Sequence, residues 1–435
     1  MKITVIGGGP AGRTAAIEAA NIGEEVTLIE ESKIGGKCLN EGCMVVSGLN
    51  DVAKFIKDSQ RFKRRGIIDQ KTEVNFQNMA DGIRDTIGKL RAVNESEIKD
   101  AGVEIVKGTG KIEDERVMVE GTEIHHQKLI IATGANANIP PIPGSESAKT
   151  YQDILDFKEV PEKLLIIGSG VIATEFANIF STFGSEVQIL CRNQFLSILD
   201  EDVKDYVIKN LLKDVQIQEN IQINQIDKEG LTSNKGQLSG DVLLATGMKP
   251  NSQIVKDKVD LGSKGEILVN KQMRTSQKNI YAAGDVVGGV GTTPVARMEG
   301  VVAARNACGI FKEADYSIIP GSISLYYDVA FLNQNHREDI KDKNSMGGSI
   351  PGFAGSGSFW NALDGNTGFT KVKVDIESGA IKDVASISPS ARTSIAYISQ
   401  MMKDNYKTYD FDDFIETHPS TDPIYKLLRL FAKFG

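Results

Sequence analysis

Short apolar runs that end in glycine-rich turns and are followed by helical patterns organise most of the chain. Residues 2–32, KITVIGGGPAGRTAAIEAANIGEEVTLIEES, read as a strand, a glycine turn, an alanine-rich helix and a second strand. Residues 163–193, KLLIIGSGVIATEFANIFSTFGSEVQILCRN, repeat that plan. Both predict β-α-β units of the kind that builds a parallel sheet. Each is followed by an apolar strand closing on a second glycine signature, KLIIATGANANIP at 128–140 and DVLLATGMKPN at 241–251. A further strand and turn, NIYAAGDVVGG at 279–289, leads into a helical pattern from about Pro294. Beyond about Tyr316 the pattern becomes alternating strands, SISLYY, VAFLNQ, FTKVKVDI and DVASIS, then helices near 395–402 and 411–434. The expectation is an α/β fold with two nucleotide-binding units and a C-terminal α+β domain.

The turns sharpen that expectation. Gly7-x-Gly9-x-x-Gly12 sits where a strand becomes a helix, and Glu30 ends the second strand, as the Rossmann-like dinucleotide fingerprint requires. Gly7 allows the tight turn, Gly9 lets a pyrophosphate approach, and Gly12 lets helix and strand pack closely. The helix N-terminus offers free N–H groups to phosphate, and Glu30 offers a carboxylate to a ribose diol. The second unit carries the variant Gly168-x-Gly170-x-x-Ala173, but its second strand ends in Leu190-Cys191-Arg192-Asn193, with no carboxylate. Arg192 there favours NADPH or loose discrimination between NADPH and NADH, unless it points to solvent.

Composition changes the picture only by exclusion. The 435 residues carry a formal net charge of −8, with acids and bases interspersed, which argues against a nucleic-acid partner. No apolar run approaches the roughly 18 residues of a membrane span. The opening MKITVIGGGPAG already reads as strand and turn rather than a secretory signal, so a cytoplasmic protein is expected. Four cysteines do not make a disulfide scaffold. A close pair, Cys38 and Cys43 in GGKCLNEGC, therefore suggests redox or metal chemistry, and zinc is disfavoured because further ligands are not clustered nearby. Cys191 and Cys308 read as buried small hydrophobes.

Two dinucleotide folds, with a cysteine pair just after the first, imply a chain of electron carriers. Here the sequence resembles the class I flavoprotein disulfide reductases, the pyridine nucleotide-disulfide oxidoreductases that include dihydrolipoamide dehydrogenase. GGKCLNEGC is similar to their active-site motif, with Lys37 at the usual threonine, and the likeness runs through ATG at 132–134, GSGVIATEFA, ATGMKPN and AAGD to His418-Pro419. The resemblance implies an FAD-binding domain at 1–147 completed by 270–315, an NAD(P)-binding domain at 148–269, and a C-terminal dimerisation domain at 316–435. It implies FAD held by Gly7, Gly9, Gly12, Glu30, Gly36, Thr133, Gly134, Gly284, Asp285 and Ala296, and NADPH or NADH held by Gly168, Gly170, Ala173, Arg192 and Gly247. Cys43 would face the flavin and Cys38 would exchange with a small-molecule or protein-bound disulfide. Glu175 and His418 complete the implied catalytic set, His418 serving the partner chain of a homodimer.

Two positions leave the family pattern. Ser47 stands where the family has a lysine paired with the glutamate at Glu175, and Lys37 is a candidate substitute. Pro423 stands where the family has the glutamate that orients the histidine, with Asp422 one residue off. His125, His126 and His336 lack any such context and are expected to face solvent. Two alternatives stay open: an NAD(P)H oxidase or diaphorase that bypasses the thiols, and a non-catalytic FAD-binding subunit.

Overall fold

The computed structural model describes residues 1–69, 72–113, 116–332 and 344–433. Its first sheet has five parallel strands in the order Ile280–Ala282, Lys128–Ile131, Lys2–Ile6, Glu25–Glu30 and Glu104–Lys107. The second repeats the arrangement: Val215–Gln218, Glu186–Leu190, Lys163–Ile167, Asp241–Leu244 and the short Lys149–Thr150, all parallel. In each, the strand that ends in the glycine fingerprint lies at the centre. Residues such as Val5, Leu28, Ile130, Leu165 and Ile189 are wholly buried, as strands covered on both faces require.

Helix Pro10–Ile22 packs along helix Thr293–Ala307, and small residues make the approach possible. A Cβ on Gly12 would lie 1.8 Å from the Gly7 carbonyl oxygen, and one on Gly300 would lie 2.4 Å from that of Ala11. Both ATG turns feed short strands, Ala135–Ala137 and Met248–Pro250, that pair with each other. Thr133 Oγ1 donates to the Asn251 carbonyl at 2.7 Å, and Asn138 N–H donates to that of Gly247 at 2.9 Å. The two nucleotide units are thereby tied together at their turns.

The C-terminal domain is a five-stranded antiparallel sheet, ordered Pro320–Ile323, Asp328–Leu332, Ile381–Ser388, Phe369–Asp375 and Ser345–Pro351. Helices Ala391–Lys403 and Ile424–Phe431 cover it. The fold is thus α/β with parallel sheets, as the sequence predicts. Three details differ. The strand expected through SISLYY stops at Ile323. Ser345–Pro351 is a strand the pattern did not announce. The helix expected across 411–434 is confined to Ile424–Phe431, because Pro419 and Pro423 cannot lie inside a helix. Among the described residues, no helix is long and apolar enough to cross a membrane.

Two side-chain amides and a lysine join the domains behind the site. Asn50, on helix Cys43–Arg64, donates to the Leu325 carbonyl at 3.2 Å and accepts from Asn178 at 3.2 Å. Lys57 Nζ also reaches Asn178, at 2.8 Å, and burial lowers this amine to about 8.

Candidate active site

A cavity of about 2040 Å³ runs from the first glycine turn past the cysteine pair to the second turn and the rim of the C-terminal sheet. Gly7, Gly9, Glu30, Gly36, Thr133, Gly134, Gly168, Gly170, Arg192, Gly247, Gly284, Asp285 and Ala296 all line it, as do Cys38, Cys43 and Glu175. Gly12 and Ala173 stand behind the wall, where they pack helix against sheet; Ala173 is wholly buried. Arg192 is exposed at the cavity's edge.

The backbone brings the cysteines to that wall by an unusual turn. Gly35 and Gly36 both take left-handed φ values, +98° and +57°, and a Cβ on Gly36 would lie 2.7 Å from the Gly9 Cα. Only glycine fits this contact between the two motifs. The turn opens the short helix Gly36–Asn40, which carries Cys38, and Cys43 begins the long helix Cys43–Arg64. Both are thiols, and their sulfurs are in hydrogen-bonding contact. Thr293 Oγ1 donates to Cys38 Sγ at 3.0 Å. The contact from Cys43, then those from Thr293 and the charge of Arg297, outweigh burial and lower Cys38 to about 6. Cys43, sharing the proton and partly desolvated, is pushed well above the ordinary thiol range. The pair therefore yields its first proton more readily than an isolated thiol does.

Glu175 faces the same cavity from helix Val171–Phe183 and accepts the Ser324 N–H at 2.7 Å. Burial pushes it up to about 7, against the Ser324 hydrogen bonds and the charge of Arg392. Ser47, at the family's lysine position, turns its hydroxyl back to the Cys43 carbonyl at 2.9 Å. Lys37 does not replace that lysine. Its ammonium pairs with Glu41, 3.2 Å away in the same helical turn, and Gln152 donates to the same carboxylate oxygen at 2.5 Å.

His418 is exposed and does not line this chain's cavity. Asp422 does not orient it: the carboxylate is buried, accepting from Ser386 Oγ at 2.6 Å, Thr370 Oγ1 at 3.3 Å and Ile424 N–H at 3.1 Å. His125 is exposed as expected, whereas His126 is half-buried beside the Ile124 carbonyl; His336 lies outside the described residues. Cys191 is fully buried and Cys308 half-buried against an apolar cluster. Among the described residues, no group of three histidine, cysteine or acidic side chains is placed to hold a metal ion.

Several site residues escaped the sequence reading. Thr293 opens helix Thr293–Ala307 within a TTP run, which reads as a helix-start signal rather than a thiol partner. Ser324 and Arg392 carry no local signal at all. Glu299, buried behind Gly284, accepts that residue's N–H at 2.8 Å and the Tyr316 hydroxyl at 2.8 Å, bracing the AAGD turn; burial raises it to about 6.

Comparison with known proteins places this geometry. Residues 1–300 match the family described as pyridine nucleotide-disulphide oxidoreductase, and the chain belongs to that family. It is 31% identical to an uncharacterised protein of Methanocaldococcus jannaschii, covering 99% of this chain and 98% of that protein. It is 29% identical to a dihydrolipoyl dehydrogenase of Bacillus subtilis, covering 97% and 96%. Among solved structures, it matches the Cu(II) complex of the HOCl-induced flavoprotein disulfide reductase RclA of Escherichia coli. That match has a TM-score of 0.84 at 25% identity and covers 98% of each chain. The protein is thus an oxidoreductase of a family that works with FAD and NAD(P)H.

The cavity fits such groups on its own evidence. Gly9 and Gly170 have ordinary φ values, −73° and −103°, and ample room for a Cβ, so packing within the protein does not demand glycine at either. Close approach of a phosphate does. Among the described residues, the Thr292 and Tyr151 hydroxyls at the cavity wall are buried and find no hydrogen-bond partner, as unfilled donors toward a polar ligand would be.

Proposed function

We propose that the protein is an NAD(P)H:disulfide oxidoreductase of dihydrolipoamide dehydrogenase type, in which Cys38 and Cys43 interconvert between dithiol and disulfide. One observation carries this reading: the two sulfurs meet on the wall of a cavity that joins both dinucleotide turns. Gly7, Gly9, Glu30, Gly36 and Asp285 would hold FAD; Gly168, Gly170 and Arg192 would hold the nicotinamide nucleotide. Arg192, with no carboxylate beside it at the strand end, accommodates a 2′-phosphate, so NADPH is accepted as well as NADH. Bound FAD supplies the two-electron link by which NAD(P)H returns the disulfide to the dithiol.

The chain's own residues do the exchange. The Cys38 thiolate attacks one sulfur of the substrate disulfide, and the departing thiolate takes a proton. Cys43 then attacks the Cys38 sulfur, the second substrate thiol leaves with its proton, and the Cys38–Cys43 disulfide remains. Two electrons and two protons pass to the substrate. In a two-fold dimer, His418 of one protomer would carry protons at the cavity of its partner. With Asp422 engaged by Ser386, Thr370 and Ile424 rather than by that ring, and with Ser47 in place of a cation, turnover of free dihydrolipoamide should be slow.

The test compares wild type with Cys43→Ser and with the Cys38→Ser/Cys43→Ser double variant, measuring bound FAD and NAD(P)H-dependent reduction of lipoamide, oxidised glutathione and a quinone. The variants should keep FAD and lose disulfide reduction. Disulfide reduction undiminished in the double variant would reject the thiol mechanism and leave a diaphorase.

A further inference from the structure

We propose that Arg392, acting through Ser324, is the positioning residue that sets the charge of Glu175 in the cavity wall. Three segments distant in sequence build this relay. Glu175 Oε1 accepts the Ser324 N–H at 2.7 Å, and the Ser324 hydroxyl accepts from the Arg392 guanidinium. The guanidinium is aimed by Asp328, whose Oδ2 lies 3.1 Å from Arg392 Nε and whose Oδ1 lies 3.1 Å from Lys54 Nζ. Glu175, Ser324 and Arg392 all line the cavity.

The groups facing Glu175 come from each element around it. Helix Cys43–Arg64 presents Cys43, whose negative form opposes ionisation of the carboxyl. The turn after strand Pro320–Ile323 presents the Ser324 N–H, and helix Ala391–Lys403 presents Arg392, both favouring ionisation. Lys37 is paired with Glu41, Lys54 with Asp328 and Lys57 with Asn178, and Arg392 is the cation whose charge acts on Glu175. Ser47, on the helix turn below Cys43, brings no charge. The cation acting on Glu175 thus comes from the C-terminal domain rather than from the cysteine helix. Because Glu175 and Cys43 oppose each other's ionisation, Arg392 also bears on the thiol across the cavity.

This inference rests on the proposed function only for its catalytic meaning, so its test needs no turnover. Infrared difference spectra of the purified full-length chain, recorded against pH, follow the protonated-carboxyl band that Glu175→Gln removes. The wild-type midpoint should lie at about 7. Arg392→Gln should raise it by about one pH unit, the low end for a paired opposite charge, because Arg392 is partly exposed. Arg392→Lys should raise it less, and Lys54→Gln, which touches only the far side of Asp328, should leave it in place. An unmoved midpoint in Arg392→Gln, or an equal shift in Lys54→Gln, overturns the proposal. Should the glutamine variant not fold, the lysine variant decides alone, by a raised or an unmoved midpoint. Failure of the functional reading would show separately, as missing flavin or inert cysteines.

Discussion

Replacing Thr293 by valine isolates the hydrogen bond that primes Cys38. The hydroxyl donates to the sulfur at 3.0 Å, and the cap position of the helix is Thr292 rather than Thr293, so the isosteric change removes the donor without altering the cap. A hydrogen bond to a charged acceptor contributes about 1.5–3 kcal/mol. At roughly 1.4 kcal/mol per pH unit, its loss should raise Cys38 by about one to two units. Wild-type Cys38 sits near 6, so the variant should titrate at about 7 to 8. The assay is the pH dependence of iodoacetamide alkylation in the reduced protein, resolved by mass spectrometry on the Cys38 peptide. Cys191, buried beside the second turn, serves as the unreactive reference. The variant should keep wild-type thermal stability within about 1 kcal/mol. An alkylation midpoint identical in wild type and variant would refute the assignment of Thr293 as the thiolate's donor.

Three other outcomes follow from packing and charge. Gly36→Ala should cost about 2–4 kcal/mol in denaturant unfolding and lower the bound flavin content, because its Cβ meets the Gly9 backbone at 2.7 Å. Asp422→Ala should cost about 2–4 kcal/mol by stranding the Ser386 and Thr370 hydroxyls and the Ile424 N–H, yet leave FAD bound, since the carboxylate belongs to the C-terminal domain and not to the cavity. Glu175 holds its proton up to about 7 when folded but releases it near 4.5 when unfolded, so wild-type stability should fall as pH rises through that window. Glu175→Gln should flatten the fall, by at most about 3 kcal/mol, in urea titrations of the flavin-free protein at pH 4.5 and 7.5.

What the sequence revealed, and what it hid, follow from how local each signal is. The two parallel sheets were legible because their strands are fully buried apolar runs, each closed by a glycine turn. Cys38 and Cys43 were legible because one short turn brings both to the cavity. Strand Ser345–Pro351 was missed because among the described residues it pairs along one side and it carries two glycines, with no apolar run to announce it. The helix expected across 411–434 forms only at Ile424–Phe431, because the prolines break its first half, where the Phe414 ring packs instead with Phe411, Tyr397 and Tyr425. The role suggested for Lys37 failed against a signal present in the sequence, the i, i+4 spacing to Glu41 that forms a local ion pair. Nothing local foretells the Glu175–Ser324–Arg392 relay, because its members meet only when three distant segments fold together.

The central claim is that the Cys38–Cys43 pair shares electrons with a flavin held in the same cavity. Anaerobic titration of the purified protein with NADH, and in parallel with NADPH, measures this directly in the visible spectrum. Two electrons beyond those held by the flavin alone should be taken up, with a long-wavelength thiolate-to-flavin band that vanishes in the Cys38→Ser/Cys43→Ser double variant. Full bleaching of the flavin after one two-electron equivalent of NADH or NADPH, with no such band in wild type, would contradict the claim.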